Sequence, residues 1–306
     1  MKRLIAIVGP TGSGKSRLAL RLAGIFRGEI IGADSRQVYR LMDIGTAKPT
    51  PQEMAAVPHH LIDIINPNEE FSLALFQRLA NRAIDDIHRR GRLPFLVGGT
   101  GLYVRAILEG WQVPAISPDR DFRYNIEKIA SENNVEEIYQ ELVIADPDAA
   151  AKIDRRNVRR VIRALEVHAQ AGKAFSQLGG KIAPDFIPHI IGLTAERSEL
   201  YRIVDRRVDG MIERGLVPEV ENLLKSGYDF SLPAMSGIGY RQIGQYLKSE
   251  MTLAAAIQKI KTETHRFIRH QYAWFRLNDE RIHWYDAGDW QNPEIEKALM
   301  EYLTND

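Results

Sequence analysis

The 306-residue sequence contains no cysteine. That excludes disulfides, thiolate zinc sites and a cysteine nucleophile, and with them any reason to expect an oxidising compartment. No apolar run approaches the length needed to span a bilayer. Charge of one sign is also missing: 41 Lys and Arg stand against 40 Asp and Glu, a net of +1, whereas a general polyanion binder is usually more basic. Met1-Lys2-Arg3-Leu4-Ile5-Ala6-Ile7-Val8-Gly9 has the basic-then-apolar order of a signal peptide. Its apolar stretch is far too short, however, and it runs into a glycine loop rather than a cleavage site. No internal repeat or low-complexity linker is found. The expectation is a cytoplasmic chain with no membrane partner, whose fold starts at its first residues and whose length suits roughly two domains.

Leu4–Val8, Glu29–Ala33 and Leu93–Val97 are short apolar runs that predict buried strands. Ser16–Phe26 and Phe71–Arg90 carry helical periodicity, the second entered through Ser72 as a cap, and Tyr103–Leu108 resumes as helix after Gly98-Gly99-Thr100-Gly101. Strand, glycine turn and helix in alternation predict an α/β fold with a parallel sheet wound by helices. From about Ser117 to Pro188 the strand pattern vanishes and polar helical segments dominate. Ile190–Leu193 returns the chain to the sheet, and helices follow over 196–214, 217–226, 240–248 and 253–277. The expected domains are a core of 1–116 and 189–306 and a helical insertion of 117–188.

Gly9-Pro10-Thr11-Gly12-Ser13-Gly14-Lys15-Ser16 matches G-x-x-x-x-G-K-[ST] between a predicted strand and a predicted helix, the context a phosphate-binding P-loop requires. The glycines let backbone amides converge on phosphate oxygens, and the helix N-terminus adds its dipole. Lys15 supplies a point charge, and the Ser16 hydroxyl is a candidate ligand for Mg2+. A di- or triphosphate is therefore an expected ligand, and the fold is P-loop NTPase-like. Yet the strand that should end in a magnesium-holding acid, Leu93–Val97, ends in Gly98-Gly99-Thr100. The acid nearest the cradle by topology is Asp34, at the carboxyl end of the second strand, where parallel sheets carry their ligands. It reads as a helix cap, as a substitute magnesium acid, or as a general base beside the phosphates.

Two basic clusters sit inside the neutral total. Arg155, Arg156, Arg159, Arg160 and Arg163 form one; Lys259, Lys261, Arg266, Arg269 and Arg276, interleaved with Phe267, Tyr272, Trp274 and Phe275, form the other. Each is either a solvated helix face or a phosphate-contacting surface. Arg156, Arg159, Arg160 and Arg163 share one helical face, where like charges repel, so an external polyanion such as an RNA backbone is expected to compensate them. His59-His60 lacks a third ligand at useful spacing and does not read as a metal site. His265 and His270 fall off a single helical face and read as solvated or RNA-facing, while Trp111, Trp284 and Trp290 read as packing residues.

Taken together, the P-loop with Gly9-Pro10-Thr11, Ala33-Asp34-Ser35-Arg36-Gln37-Val38-Tyr39, Met42 to Pro49, Pro58-His59-His60-Leu61-Ile62-Asp63, Val97 to Tyr103, Arg163-Ala164-Leu165-Glu166-Val167 and Gly239-Tyr240-Arg241-Gln242 resemble the tRNA dimethylallyltransferases over nearly the whole chain. Bacterial members often carry alanine where this chain has Gly12, a change expected to be tolerated by the turn. The resemblance implies transfer of a dimethylallyl group from dimethylallyl diphosphate to the exocyclic amine of the adenosine 3′ to the anticodon of a tRNA. It also accounts for the missing acid, because the cradle then holds a leaving group and hydrolyses no nucleotide. By that resemblance Asp34 is the base, and Thr100 hydrogen-bonds near the reacting centre. Residues 9–16 bind the diphosphate, joined by Arg207, which reads equally as an outer-helix charge. The tRNA contacts it implies are Asp34, Ser35, Arg36, Gln37 and Thr100; Arg123, Arg159, Arg160, Val161, Ile162 and Arg163; Gly239, Tyr240 and Arg241; and Arg269, Gln271, Trp274 and Arg276. Trp274 is expected to be at least half buried. The expected partners are the tRNA anticodon stem-loop and dimethylallyl diphosphate, and the expected state is a monomer. The competing readings are an adenylate prenyltransferase acting on free AMP, a P-loop kinase of a small metabolite, and a non-enzymatic RNA-binding GTP switch.

Overall fold

A computed structural model describes residues 2–114, 116, 118–131 and 135–304. In chain order the first elements are β1 (Lys2–Val8), α1 (Lys15–Ile25), β2 (Gly28–Gly32), α2 (Pro51–Ala56), β3 (His59–His60), α3 (Leu73–Arg89), β4 (Leu93–Val97) and α4 (Gly101–Leu108). Next come β5 (Trp111–Gln112), α5 (Arg120–Ser131), α6 (Val135–Ala145), α7 (Pro147–Ala150), α8 (Val158–Ala171), α9 (Phe175–Leu178) and β6 (Gly180–Lys181). The chain ends with β7 (Phe186–Thr194), α10 (Arg197–Glu213), α11 (Leu216–Lys225), α12 (Tyr240–Leu247), α13 (Leu253–Trp274), β8 (Ile282–Asp286) and α14 (Pro293–Thr304).

Six strands pair in the order β3-β2-β4-β1-β7-β8, every pair parallel. The alternation along β1 builds both faces of the core. Leu4, Ala6 and Val8 pack with residues of α3 and α4, while Ile5 and Ile7 pack with Leu18 and Leu22 of α1 and Ile295 and Leu299 of α14. The chain leaves β1, skips a place to form β2, and only later inserts β4 between them. The carboxyl ends of β1 and β4 therefore open on a crevice at a reversal of strand order, and the first turn after β1 is the P-loop. Ser72 caps α3 as expected, its Oγ accepting from Leu75 N at 3.2 Å.

Residues 2–108 and 184–304 form one compact unit and Glu109–Ala183 the other. The helical unit thus lies earlier in the chain than the expected 117–188, of which Ser117 is outside the described residues. Its ends meet in a two-stranded antiparallel pair, β5 with β6, although no strand was expected here. Its interior is apolar, including Ile138, Leu142, Val161, Ile162 and Leu165. β8 and α14 were also not anticipated. The run Ile282-His283-Trp284-Tyr285 is β-branched and aromatic, and Pro293 with Glu294 and Glu296 is an ordinary helix opening, so both carried a pattern that is faint only because the elements are short. No helix among the described residues is long and apolar enough to cross a membrane.

Candidate active site

The P-loop occupies the turn from β1 into α1, with Gly9, Gly12 and Gly14 all at positive φ. A Cβ at Gly9 would sit 2.2 Å from Leu193 O, so this position admits glycine alone. At Gly12, φ is +85° and a Cβ would lie 2.8 Å from Val204 Cγ1, which corrects the expectation that alanine is tolerated here. No acidic residue occupies the first turn of α1, and its N-cap Gly14 offers no side chain, so the first amides remain free for an anion. Lys15 Nζ donates to Pro10 O at 2.7 Å. Burial lowers its ammonium from 10.5 to about 7; the nearby charge of Arg207 lowers it too, and Asp34 opposes both. Arg207 projects from α10 into the same place, held below its ordinary range by burial, again opposed by Asp34. It is thus not an outer-helix charge.

Asp34 follows the end of β2. Its Oδ1 accepts from Arg36 N at 2.8 Å and more weakly from Gln37 N at 3.4 Å, so it caps a turn and not a helix. Oδ2 has no hydrogen-bond partner among the described residues. Thr100, after the adjacent strand β4, accepts from Ser35 N through Oγ1 at 3.2 Å, and its own N–H donates to Ala33 O at 3.3 Å. One crevice therefore joins two half-buried cations, a carboxylate with a free oxygen and a hydroxyl. β4 itself ends in Gly98-Gly99 with no acid.

Several residues expected at an RNA surface also carry internal hydrogen bonds of the fold. Arg36 donates to Pro233 O at 2.6 Å and to Ser236 Oγ at 3.2 Å, pinning the turn before α12. Gln37 donates to Thr46 O and Ala47 O. Tyr240 is 1% exposed and donates to Glu219 Oε1 at 2.6 Å. Glu219, which sequence reading missed, also accepts from the amides of Asp43, Ile44 and Gly45. The ring of Tyr240 would clash with any Cβ at Gly45, at 2.6 Å. The 42–49 segment and Tyr240 thus belong to one buried joint, and Gly239 serves it with φ at +96°. Gln271 is buried as well, bonded to Thr11 and Gly99.

In the helical unit Val161 and Ile162 are core residues, each 2% exposed, so they present no side chain to a ligand. Arg123 and Arg163 both grip buried Glu166, at 2.8 Å and 2.5 Å. Burial alone would raise that carboxyl, but the two guanidinium hydrogen bonds prevail and hold it low. Arg155 pairs with Glu136 and Arg156 with Asp154. Internal acids, not only an external polyanion, therefore compensate much of the cluster. Arg159 and Arg160 remain exposed, with no side-chain partner among the described residues.

In the second cluster Lys261 pairs with Asp209, Arg266 with Glu263, and Arg269 donates to Tyr201 OH. Phe275 is core, Trp274 is 36% exposed, and Arg241 and Arg276 are exposed. His265 is neither solvated nor free, since it stacks on Tyr201 and contacts Asp205 at 2.8 Å. His59 contacts Val57 O and His60 contacts Glu29. No group of three or more His, Asp or Glu placed to hold a metal occurs among the described residues.

Residues 37–278 match the family described as IPP transferase. The chain is 52% identical over 302 residues to the tRNA dimethylallyltransferase of Dehalococcoides mccartyi, covering 99% of this chain and 93% of that one. To the tRNA dimethylallyltransferase of a Roseiflexus strain it is 54% identical over 273 residues, with 89% and 90% covered. Among solved structures it is similar to the tRNA isopentenylpyrophosphate transferase of Bacillus halodurans, at TM-score 0.73 and 43% identity, covering 98% and 96% of the two chains. It is also similar to a eukaryotic dimethylallyltransferase acting on tRNA, at TM-score 0.81 and 30% identity, with 98% and 78% covered. With a P-loop whose strand partner carries no acid and near full-length identity of about one residue in two, the chain belongs to the tRNA dimethylallyltransferase (IPP transferase) family.

Proposed function

We propose that the crevice transfers the dimethylallyl group of dimethylallyl diphosphate to N6 of the adenosine 3′ to the anticodon of tRNA, giving N6-isopentenyladenosine. The observation that carries this reading is the pairing of a half-buried cationic cradle, Lys15 with Arg207, with the free Oδ2 of Asp34, in a site whose β4 supplies no acid for nucleotide hydrolysis. Relatives at about half identity, named for this reaction, support it.

The free amides of Gly12, Gly14, Lys15 and Ser16, with the Lys15 ammonium and Arg207, hold the diphosphate and stabilise the charge that builds on it as the C1–O bond breaks. The N6 lone pair is delocalised into the adenine ring. Asp34 Oδ2 accepts a hydrogen bond from the amine and takes its proton as the N6–C1 bond forms, while inorganic diphosphate leaves with the electron pair of the broken bond. Thr100, tied to the backbone beside Asp34, orients the acceptor. The donor set fits Mg2+, which uses few protein ligands and substrate phosphates: Ser16, exposed at the first turn of α1, would hold it, and no three-residue acidic cage is needed. When bound, magnesium supplies further neutralisation of the leaving diphosphate. Arg159 and Arg160 of the helical unit, with Arg241, Arg269, Trp274 and Arg276 of the core unit, remain as RNA-facing side chains. The monomeric state is part of the same proposal.

The test is incubation with labelled dimethylallyl diphosphate and either unmodified tRNA or AMP. Label in tRNA is expected. Label in AMP alone overturns the acceptor, and consumption of ATP with a phosphorylated product overturns the reaction.

A further inference from the structure

Gln271, near the end of α13, is a polar side chain 3% exposed, and its carboxamide is satisfied at both ends. Oε1 accepts from Thr11 N at 2.8 Å, and Nε2 donates to Gly99 O at 3.0 Å. Thr11 is part of the P-loop. Gly99 shares a peptide with Thr100, and the N–H of that peptide donates to Ala33 O. One peptide plane is thus gripped at both edges, by Gln271 on its carbonyl and by the end of β2 on its amide, and it aims the Thr100 side chain. The fit is close: a Cβ at Gly99 would lie 2.2 Å from Gln271 Nε2, and one at Gly101 would lie 2.2 Å from Trp274 Cγ. The last turns of α13 therefore press on the chain at both sides of Thr100.

We infer that Gln271 is a positioning residue that sets the distance between the diphosphate cradle and the Thr100 side of the crevice. This rests on the crevice being a prenyl-transfer centre. The bridge needs an acceptor facing one loop and a donor facing the other, at fixed length, and a primary carboxamide supplies both. Without it each loop still binds its own substrate, but the two substrates meet at the wrong distance. Misplacement of reacting groups by an ångström lowers turnover far more than affinity.

The experiment measures kcat and KM for both substrates on the full chain. Gln271→Met keeps the length and removes both hydrogen bonds. It is expected to lower kcat by about 10- to 100-fold while KM for dimethylallyl diphosphate stays within about threefold. Gly99→Ala pushes the carboxamide away from the other side and is expected to do the same. Because both changes break one bridge, the double variant should be no slower than the slower single. A kcat for Gln271→Met within about threefold of the parent, or losses that multiply in the double variant, overturns the inference. If neither methionine nor alanine gives folded protein, Gln271→Glu decides. Its neutral acid replaces both bonds and its carboxylate cannot donate, so its kcat should fall, relative to the parent, as pH rises through the carboxyl's ionisation. A profile parallel to the parent's overturns the role. A parent that transfers no label refutes the prenyl-transfer reading and the positioning role with it, whereas an active parent with an indifferent Gln271→Met refutes the positioning role alone.

Discussion

Binding of dimethylallyl diphosphate is expected to take up a proton. In the free cradle, burial and then the charge of Arg207 lower Lys15 from 10.5 to about 7. A bound diphosphate puts negative charge against the amine and favours the ammonium form. At pH 8 a group titrating at about 7 is roughly nine-tenths neutral, so returning it toward its ordinary value takes up about 0.9 proton per ligand, and about 0.5 at pH 7. The protonated lysine is the binding form and is lost as pH rises through about 7, so affinity should fall by about tenfold per pH unit above 8 until the bound-state value is reached. Phosphate monoesters finish ionising near pH 6, so between pH 7 and 9 the ligand's own titration contributes little. Titration calorimetry in two buffers of different ionisation heat counts the protons. Lys15→Arg, whose guanidinium does not titrate in this range, should take up none. Uptake near zero at pH 8 in the parent, or undiminished uptake in Lys15→Arg, would refute the electrostatic picture of the cradle.

Asp34→Asn keeps the Oδ1 that caps the 34–37 turn but cannot accept the N6 proton, so kcat should fall by about 10²- to 10⁴-fold with tRNA affinity nearly unchanged; turnover near the parent level removes Asp34 as base. Replacing Arg159 and Arg160 with Ala should weaken tRNA binding and reduce the slope of log affinity against log salt by about 1–2, and an unchanged slope returns that pair to a solvated face. Leu41 is 54% exposed at φ 66°, so Leu41→Gly should raise the stability read from a denaturant midpoint by about 1 kcal/mol. A fall there would mean that the leucine makes contacts worth more than its strain.

The boundaries of β4 and the P-loop, with the cap at Ser72, were legible because each depends on neighbours in sequence: an apolar run, a glycine spacing, a hydroxyl ahead of a helix. The small strands β3, β5 and β6 were not, since two residues carry no period. In sequence, polar motif residues such as Arg36, Gln37 and Tyr240 look alike whether they face a ligand or a turn, so their internal hydrogen bonds are legible only in the fold. The partners of the arginine cluster are hidden in the same way. Repulsion along one helix face could be counted, but Glu166 and Arg163, three residues apart, and Arg123, forty-three residues from Glu166, had to fold together before compensation was visible.

By itself, then, the sequence determined the chemistry of the cradle, the absent acid after β4 and the family, because these follow from residue type and short spacing. Tertiary structure alone decided that Arg207 faces Lys15 and that Gln271 spans residues 260 and 172 positions away. Such contacts depend on how helices far along the chain pack against strand ends, and packing is a property of shapes in three dimensions that no local pattern encodes.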